Sequence, residues 1–295
     1  MLKLVRLYGH HSPLPRGKRF LYTNALRLRA LPKSEQLVES RDGRRFHVDL
    51  TDPIYRDLFF IGDYEPEVSR VARSVLRPGD IAVDAGANFG WFTILFADLV
   101  GPSGGVHSFE PVPWIYDQLT ANLQLNGEPT QVHPNQLALG ERSGNAVLHV
   151  FAGLNQGHAS MSDLGRDDYT THTARVVSLD GYCSERSVSV PEIALLKCDV
   201  EGAELAVLRG ASAILSSDHP PVVIVEINDL TAQAFGYRPS EILSLLQEYG
   251  YEFLRITKSR AHHLGSVGEC RHGDNILCVV PGVHDDRINR RLWPR

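Results

Sequence analysis

The stretch that decides the fold runs from residue 81 to residue 90 and reads IAVDAGANFG. Its first four residues have the apolar character of a buried strand, and the apolar segment from Trp91 to Leu99 predicts a buried helix. Between them, Gly86 and Gly90 let the backbone approach a ligand closely at the N-terminus of that helix. The segment therefore predicts a strand, a glycine turn and a helix that together bind a nucleotide cofactor.

The spacing within the turn indicates which cofactor fits. Asp84 and the two glycines form a D-x-G-x-x-x-G pattern rather than the G-x-G-x-x-G of dinucleotide sites, and an acid at the strand end disfavours a pyrophosphate. S-adenosylmethionine fits better, because its amino group and sulfonium are positive and its ribose still needs an acid. Glu110 ends the next predicted strand 26 residues after Asp84, close to the usual offset of roughly 20 residues. The glycines alone leave a purely structural turn open as the alternative.

Short apolar runs alternate with helical stretches from Pro78 onward, which is typical of βαβ units and a parallel sheet. Further strands are predicted at 105–110, just before Gln136, at 193–198 and at 222–227, with helices at 114–126, 204–215 and 240–249. Segments 252–256 and 276–280 are expected to close the sheet as a hairpin. An α/β fold follows.

The N-terminal segment differs in charge from the rest of the chain. Its first 34 residues contain eight Lys or Arg and no acid, whereas the 295-residue chain has a net charge of −5. The acidic balance argues against a general nucleic-acid binder. The basic arm is either a solvated extension or a contact for a membrane surface, an anionic substrate or a partner subunit. We expect residues 1–60 to form this arm and a cap, and residues 61–295 to form the catalytic domain.

Location and two competing site types follow from simple patterns. No apolar run reaches the ~20 residues that cross a bilayer, and the first thirty residues lack a secretory signal, so we expect a cytoplasmic protein. Residues 101–105 match the G-x-S-x-G of a hydrolase elbow, but they follow a helix and precede a strand, which reverses the required context. The histidines and cysteines between 262 and 278 lack zinc-ligand spacing.

Tyr64 and Trp114 are candidates for stacking on adenine or a sugar, or for core packing.

Several motifs together resemble one known family. They are Gly62-Asp-Tyr64-Glu65, Pro78-Gly-Asp, Val83 to Gly90, Phe109-Glu110-Pro111, Ala138-Leu-Gly, Ser178-Leu-Asp180 and Lys197-Cys-Asp199-Val-Glu201-Gly202-Ala-Glu204. Over about residues 62–280 the chain resembles the FkbM-type methyltransferases, a branch of the class I S-adenosylmethionine-dependent enzymes. In that family the last motif closes the fourth strand beside the methyl donor. Members of known role mainly methylate hydroxyls on sugars, lipids and polyketides.

The resemblance implies a fold and a donor site. The fold is the Rossmann-like class I methyltransferase fold, with a mostly parallel seven-stranded sheet, helices on both faces and an N-terminal extension. The implied donor-binding residues are Tyr64, Glu65, Asp84, Gly86, Asn88, Phe89, Gly90, Glu110, Pro111, Gln136 and Asp199.

Acidic and amide side chains also follow the fourth and fifth strands. Asp199 and Glu201 come after one strand, and Glu226 and Asn228 end the next. Ligands of open α/β sheets sit at these strand ends, where side chains converge. Carboxylate and amide oxygens suit Mg²⁺ or another divalent cation, so Asp199, Glu226 and Asn228 are predicted metal ligands. Such a cation would lower the pKa of an acceptor hydroxyl.

The general base is less well defined by the sequence. Related O-methyltransferases place Lys or His three residues after the first acid, where this chain has Gly202. Asp199, Glu201 and His158 are the catalytic candidates, with Glu201 and His158 as bases. His158 lies on the polar loop 155–160, which resembles the family's substrate-side loop. In the alternative interpretation, Glu201 and Glu204 only favour a helix N-terminus through its dipole.

These observations predict an O-methyltransferase that acts on a small hydroxylated substrate, a sugar or glycoside above all, with assistance from a divalent cation. Two alternatives remain open: an O-methyltransferase that acts on a polyketide or lipid hydroxyl without metal, and a noncatalytic binding subunit of the same fold. We also expect the basic arm and the region around Tyr64 to cover the pocket, within one chain or across a homodimer, because a reactive methyl group must be shielded from water.

Overall fold

A computed structural model describes residues 8, 10, 35–50, 52–151, 159–160, 169–258, 261–264, 270 and 273–288. Most of the basic arm and the candidate base His158 lie outside these residues. None of the described helices has the length and apolar character needed to cross a membrane.

The described part of the cap begins with a hairpin and ends in a first helix, and a second helix follows it. Pro66 begins the second helix, as expected for proline in a first helical turn. The elements are β1 (Gln36–Glu39), β2 (Arg45–Val48), a 3₁₀ turn (Pro53–Tyr55), α1 (Arg56–Ile61) and α2 (Pro66–Val75).

The predicted alternation of strands and helices is confirmed. The first half of the domain contains β3 (Ile81–Ala85), α3 (Trp91–Val100), β4 (Gly105–Phe109), α4 (Pro113–Leu125) and β5 (Val132–Asn135). An insertion then supplies β6 (Ala138–Leu139), β7 (Gly144–Phe151), β8 (Ala159–Ser160), β9 (Tyr169–Val177) and α5 (Leu179–Arg186). The second half contains β10 (Ile193–Cys198), α6 (Glu204–Arg209), α7 (Ser212–Leu215), β11 (Val222–Ile227), α8 (Asp229–Ala234), α9 (Pro239–Glu248), β12 (Glu252–Ile256), β13 (Ala261–His263) and β14 (Asp274–Val279).

The described strands form a main sheet in the order β13-β12-β14-β11-β10-β3-β4-β5. Strands β5, β4, β3, β10 and β11 run parallel, and β14, β12 and β13 continue the sheet with antiparallel pairings. The predicted hairpin of 252–256 and 276–280 is therefore present. The sheet has eight described strands instead of the predicted seven, because three residues, Ala261–His263, add an edge strand.

One local prediction differs from the structure. The helix predicted over 204–215 is divided at Gly210, where a Cβ would lie 2.1 Å from the carbonyl oxygen of Gly140. The strands of the insertion form a separate sheet in the order β6-β9-β7-β8. This small sheet packs on the start of α4 through Val112 and Ile115.

Apolar side chains cover both faces of the main sheet, as the fold prediction requires. On one face the cap, α2 and α3 share a hydrophobic core, while α5, α6, α7 and α9 cover the other face. The described part of the cap is thus packed directly on the domain that holds the glycine turn.

A row of amide side chains on α4 fastens the cap to this domain. Asn122 accepts a hydrogen bond from the His47 backbone N–H (2.8 Å) and donates to the carbonyl oxygen of Phe89 (2.8 Å). One turn before it, Gln118 donates to the His47 carbonyl (3.0 Å), and one turn after it Asn126 both accepts from and donates to the Arg45 backbone. Because amides spaced by four lie on one helix face, they pair with β2 as a strand would. Asn122 links the cap to Phe89 in the glycine turn.

Candidate active site

The glycine turn touches the loop that follows β10. Gly86 and Gly90 have φ angles of 81° and 93°, in the left-handed region that favours glycine. A Cβ on Gly86 would lie 1.8 Å from the backbone oxygen of Asp199, so no other residue fits without moving one of the two segments. This close approach brings the ends of β3 and β10 together.

Glu110 is held at the end of β4 by two backbone donors. Its Oε2 accepts from the Asn88 N–H and its Oε1 from the Val112 N–H, each at 3.0 Å. The side chain is buried, and burial raises the pKa of Glu110 to about 7. Each carboxylate oxygen keeps lone-pair capacity for a further donor such as a ribose hydroxyl. The predicted ribose acid is therefore fixed in place beside the turn.

A pocket opens between the turn, Glu110 and the loop after β10. Its empty volume is about 910 Å³, counting the part that is open to solvent. Apolar walls come from Ile54 of the cap, Phe109, Leu137 and Leu148, and carboxylates come from Glu110, Asp199 and Glu201. A cavity with apolar walls and a few convergent polar groups is the usual form of a small-molecule site.

The structure distributes the predicted donor residues between the pocket wall and its surroundings. Of the predicted site residues, those that line the pocket are Tyr64, Gly86, Asn88, Phe89, Glu110, Pro111, Asp199 and Glu201. Glu65, Asp84, Gly90, Gln136, Glu226 and Asn228 do not belong to the lining. Gln136 is exposed, and Trp114, which is 46% exposed, lies edge-on to His172 with 6.5 Å between the ring centroids. Tyr64 packs edge-on against Phe89 at 5.4 Å, so its aromatic ring is part of the wall.

Asp84 lies beneath the pocket and pairs with Thr93. The Thr93 hydroxyl donates to Asp84 Oδ2 at 2.6 Å, while Oδ1 is buried with no hydrogen-bond partner among the described residues. Burial raises the pKa of Asp84 to about 6, although the nearby Lys197 ammonium acts in the opposite direction. A buried carboxylate of this kind needs a cation close by.

Lys197 supplies a cation from the neighbouring strand. Its Nζ donates to Asp199 Oδ2 at 2.9 Å and lies 4.8 Å from the ring centroid of Phe92, and its side chain is only 2% exposed. Burial lowers the pKa of Lys197, but the carboxylates of Asp199, Asp84 and Glu65 raise it by more, so it lies above its usual value. Sequence reasoning assigned no role to Lys197. Its signal was a lone charged residue in an otherwise apolar strand, which demands a buried partner.

Further acids surround this pair. Glu65 precedes α2 with a left-handed φ of 44°, and its Oε2 is buried without a hydrogen-bond partner in the described structure. Burial raises the pKa of Glu65. The charge of Asp199, followed by burial and the charge of Glu201, raises the pKa of Glu226 well above its usual range. The same carboxylates, after burial itself, raise the pKa of the Tyr64 hydroxyl. The strand ends thus form a strongly acidic region around one lysine.

Glu201 and Glu204 have different surroundings although they are only three residues apart. Glu204 accepts from the backbone N–H groups of Val200 and Gly202 at 3.0 Å each, and from the Tyr237 hydroxyl at 3.0 Å. Burial raises the pKa of Glu204 to about 7. Glu201 instead has a left-handed φ of 55° and lines the pocket. Glu204 therefore shapes the loop, whereas Glu201 forms part of the pocket wall.

Two of the three predicted metal ligands, Asn228 and Asp199, already have hydrogen-bond partners within the protein. Asn228 Oδ1 caps α8 by accepting from the N–H groups of Leu230 (3.1 Å) and Thr231 (3.3 Å). Asp199 Oδ2 is bound by Lys197. Within the described part of the chain, no group of three His, Cys, Asp or Glu side chains has an arrangement that could hold a metal ion. The side-chain oxygens of the three predicted ligands therefore do not fit the predicted divalent cation.

Comparison with known proteins adds family information to this geometry. Residues 84–253 match the family model described as the Methyltransferase FkbM domain, a span that contains the glycine turn, Glu110 and the acidic strand ends.

Two curated relatives and one solved structure illustrate the similarity. The 31-O-demethyl-FK506 methyltransferase FkbM of Streptomyces tacrolimicus is 32% identical over 209 residues, which cover 60% of this chain and 74% of that protein. The hexuronic acid methyltransferase AglP of Haloferax volcanii is 29% identical over 204 residues, or 69% of this chain and 76% of that protein. The methyltransferase FkbM structure from Methylobacillus flagellatus KT is 14% identical with a TM-score of 0.43, covering 90% of this chain and 72% of the other.

Proposed function

Since the chain belongs to the FkbM methyltransferase family, we propose that it moves a methyl group from S-adenosylmethionine to a hydroxyl of a small substrate, a sugar or glycoside in the first instance. One observation carries this proposal. The same pocket is lined by Glu110, a fixed carboxylate beside the glycine turn, and by Asp199 and Glu201 in the loop that follows β10.

The donor fits the two ends of this pocket by charge. Glu110 would accept hydrogen bonds from the ribose hydroxyls, and the apolar wall beside it, with Phe109 and Leu137, suits the adenine ring. The amino group and sulfonium of the donor are positive, so the acidic region around Asp199 favours them. In this orientation the methyl group of S-adenosylmethionine would face the acidic wall.

The transfer itself requires one proton acceptor. The acceptor oxygen forms a bond to the methyl carbon while the carbon–sulfur bond breaks, and its electron pair stays on the neutral sulfur of the product. The hydroxyl proton must leave the acceptor oxygen, and Glu201, which lines the same pocket as Glu110, is the base that we propose. His158 remains a prediction because it lies outside the described residues.

The acceptor class is narrowed by the charge of the wall. One relative is named for a hexuronic acid and another for 31-O-demethyl-FK506, so the names of the relatives do not point to one acceptor. In this chain the wall is acidic, which repels a carboxylated acceptor unless a cation accompanies it. A neutral sugar or glycoside hydroxyl therefore suits the pocket better than a uronic acid.

A deuterium-labelled methyl donor tests the proposal. The protein is incubated with S-adenosyl[methyl-d3]methionine and a panel of neutral glycosides, uronic acids and hydroxylated macrolides, and products are followed by mass spectrometry. We expect a mass gain on a neutral glycoside hydroxyl, and loss of that product in Glu201→Gln but not in Glu185→Gln, whose exposed side chain lies on α5. Binding of NAD in place of S-adenosylmethionine in calorimetry would overturn the donor assignment. Donor binding without transfer to any acceptor would favour the noncatalytic alternative.

A further inference from the structure

The acidic strand ends carry their own cation. Among the described residues that line the pocket, Lys197 is the basic one, and its Nζ lies 2.9 Å from Asp199 Oδ2. In the strand register Lys197 stands opposite Asp84, so its ammonium lies between carboxylates of two adjacent strands. The ring of Phe92 covers it at 4.8 Å. A charged side chain that is 2% exposed and contacts a carboxylate and an aromatic face has a defined position.

This position matters because several carboxylates meet there. Asp199 and Glu201 line the pocket, Asp84 lies below it, and Glu65 approaches from the start of α2. Carboxylates brought together away from water repel one another unless a cation lies among them. The sequence led us to expect a divalent ion in that role, yet the ammonium already occupies the space beside Asp199 Oδ2. A divalent ion bound to the same oxygen would be repelled by Lys197.

We propose that Lys197 is a built-in counter-ion that takes the place of the predicted divalent cation and positions the Asp199 carboxylate at the wall of the pocket. Lys197 is a positioning residue, since it acts through Asp199. The counter-ion role stands on the geometry alone, whereas the benefit to methyl transfer rests on the proposed function.

Removing the ammonium should create the metal site that the wild type lacks. Lys197→Met keeps a long apolar stem and removes the charge, and Lys197→Arg keeps the charge. Mn²⁺ is the probe, followed by electron paramagnetic resonance and by its effect on the melting temperature of the donor-free protein. We expect saturable Mn²⁺ binding in Lys197→Met, at least about tenfold tighter than in wild type or Lys197→Arg, because a repelling charge is removed from the acids. Mn²⁺ should also raise the melting temperature of Lys197→Met alone, since a ligand that binds only the native state stabilises it.

A second substitution locates the new site. The double variant Lys197→Met with Asp199→Asn should lose the Mn²⁺ binding again. The proposal is refuted when wild type binds Mn²⁺ saturably and Asp199→Asn abolishes that binding, or when Lys197→Met folds and gains no Mn²⁺ affinity. Where circular dichroism shows that Lys197→Met does not fold, Lys197→Gln replaces it, and a failure of both to fold while Lys197→Arg folds supports the counter-ion role. Calorimetry of wild type with S-adenosylmethionine is run separately, so a failure of the proposed function is distinguishable from a failure of this one.

Discussion

Replacing Glu110 by Gln changes one atom of the donor site and has a calculable effect. In wild type each carboxylate oxygen accepts a backbone N–H at 3.0 Å, one from Asn88 and one from Val112. A glutamine side chain keeps one acceptor oxygen and presents an NH₂ group to the other N–H, so two donors face each other in a buried position. The same change removes the charge that would hold the ribose hydroxyls.

The size of the loss follows from these contacts. A buried N–H group left without an acceptor costs about 1–3 kcal/mol, and a hydrogen bond to a charged group contributes about 1.5–3 kcal/mol. Each 1.4 kcal/mol is a factor of ten in affinity, so S-adenosylmethionine should bind roughly ten to a hundred times more weakly. Because burial raises the pKa of Glu110 to about 7, its charged form increases between pH 6 and pH 8. Wild type should therefore bind the donor more tightly at pH 8 than at pH 6.

Calorimetry with S-adenosylhomocysteine at pH 6, 7 and 8 measures both effects. Glu110→Gln should show weaker binding and a smaller pH dependence than wild type, while Glu185→Gln, an exposed position on α5, should match wild type. Circular dichroism confirms that the variants are folded. If Glu110→Gln binds within twofold of wild type at all three pH values, the ribose assignment is refuted.

Three further predictions concern the fold around the site. Gly86→Ala should lower the midpoint of urea unfolding far more than Gly127→Ala. The two glycines have similar φ angles (81° and 86°), but only a Cβ on Gly86 would lie 1.8 Å from a backbone oxygen of the loop after β10. Equal midpoints would contradict this prediction. Asn122→Leu should speed hydrogen exchange in β2 and weaken the binding of S-adenosylmethionine, since it removes the hydrogen bonds that connect β2 to the glycine turn. Unchanged exchange in β2 would show that this amide does not hold the cap. In the donor-free protein the free energy of unfolding should fall as pH rises from 6.5 to 8. Burial raises the pKa of Glu110 and of Glu204 from 4.5 to about 7, so the stability that these groups contribute is fully present below pH 4.5 and is lost as pH rises through 7. Urea unfolding at three pH values measures it, and a flat or rising profile would count against the buried, raised carboxyls.

The predicted positions of Gly86 and Glu110 in the fold depend on local signals. The turn at Gly86 and the acid at Glu110 follow two adjacent parallel strands, and the ends of such strands meet at one edge of a sheet. Strand periodicity therefore carries enough information to bring the two residues together. The separate strands at 193–198 and 222–227 are likewise predicted within their observed bounds, because buried parallel strands are continuous apolar runs.

The docking of the cap could not be predicted in the same way. Gln118, Asn122 and Asn126 are polar and spaced by four, which is the pattern of a solvated helix face. Nothing in their own segment shows that a strand some 75 residues earlier supplies the hydrogen-bond partners. The edge strand Ala261–His263 is missed for a different reason, since three residues are too few for any period to be recognised.

The acids at the strand ends show how an incomplete inference arises. Their number predicts a cation bound from outside the chain, whereas the structure places the Lys197 ammonium beside Asp199. Residues two apart on an extended chain point to the same face of a sheet, so the side chains of Lys197 and Asp199 share a face. The strand register also sets Asp84 opposite Lys197. Burying a lysine in the strand Ile193–Cys198 is costly unless carboxylates surround it, and gathering carboxylates is costly unless a cation lies among them. Each charge therefore offsets the cost of burying the other. For this reason Asp199→Lys, which reverses the charge, should lower the free energy of unfolding more than Asp199→Asn, which only removes it.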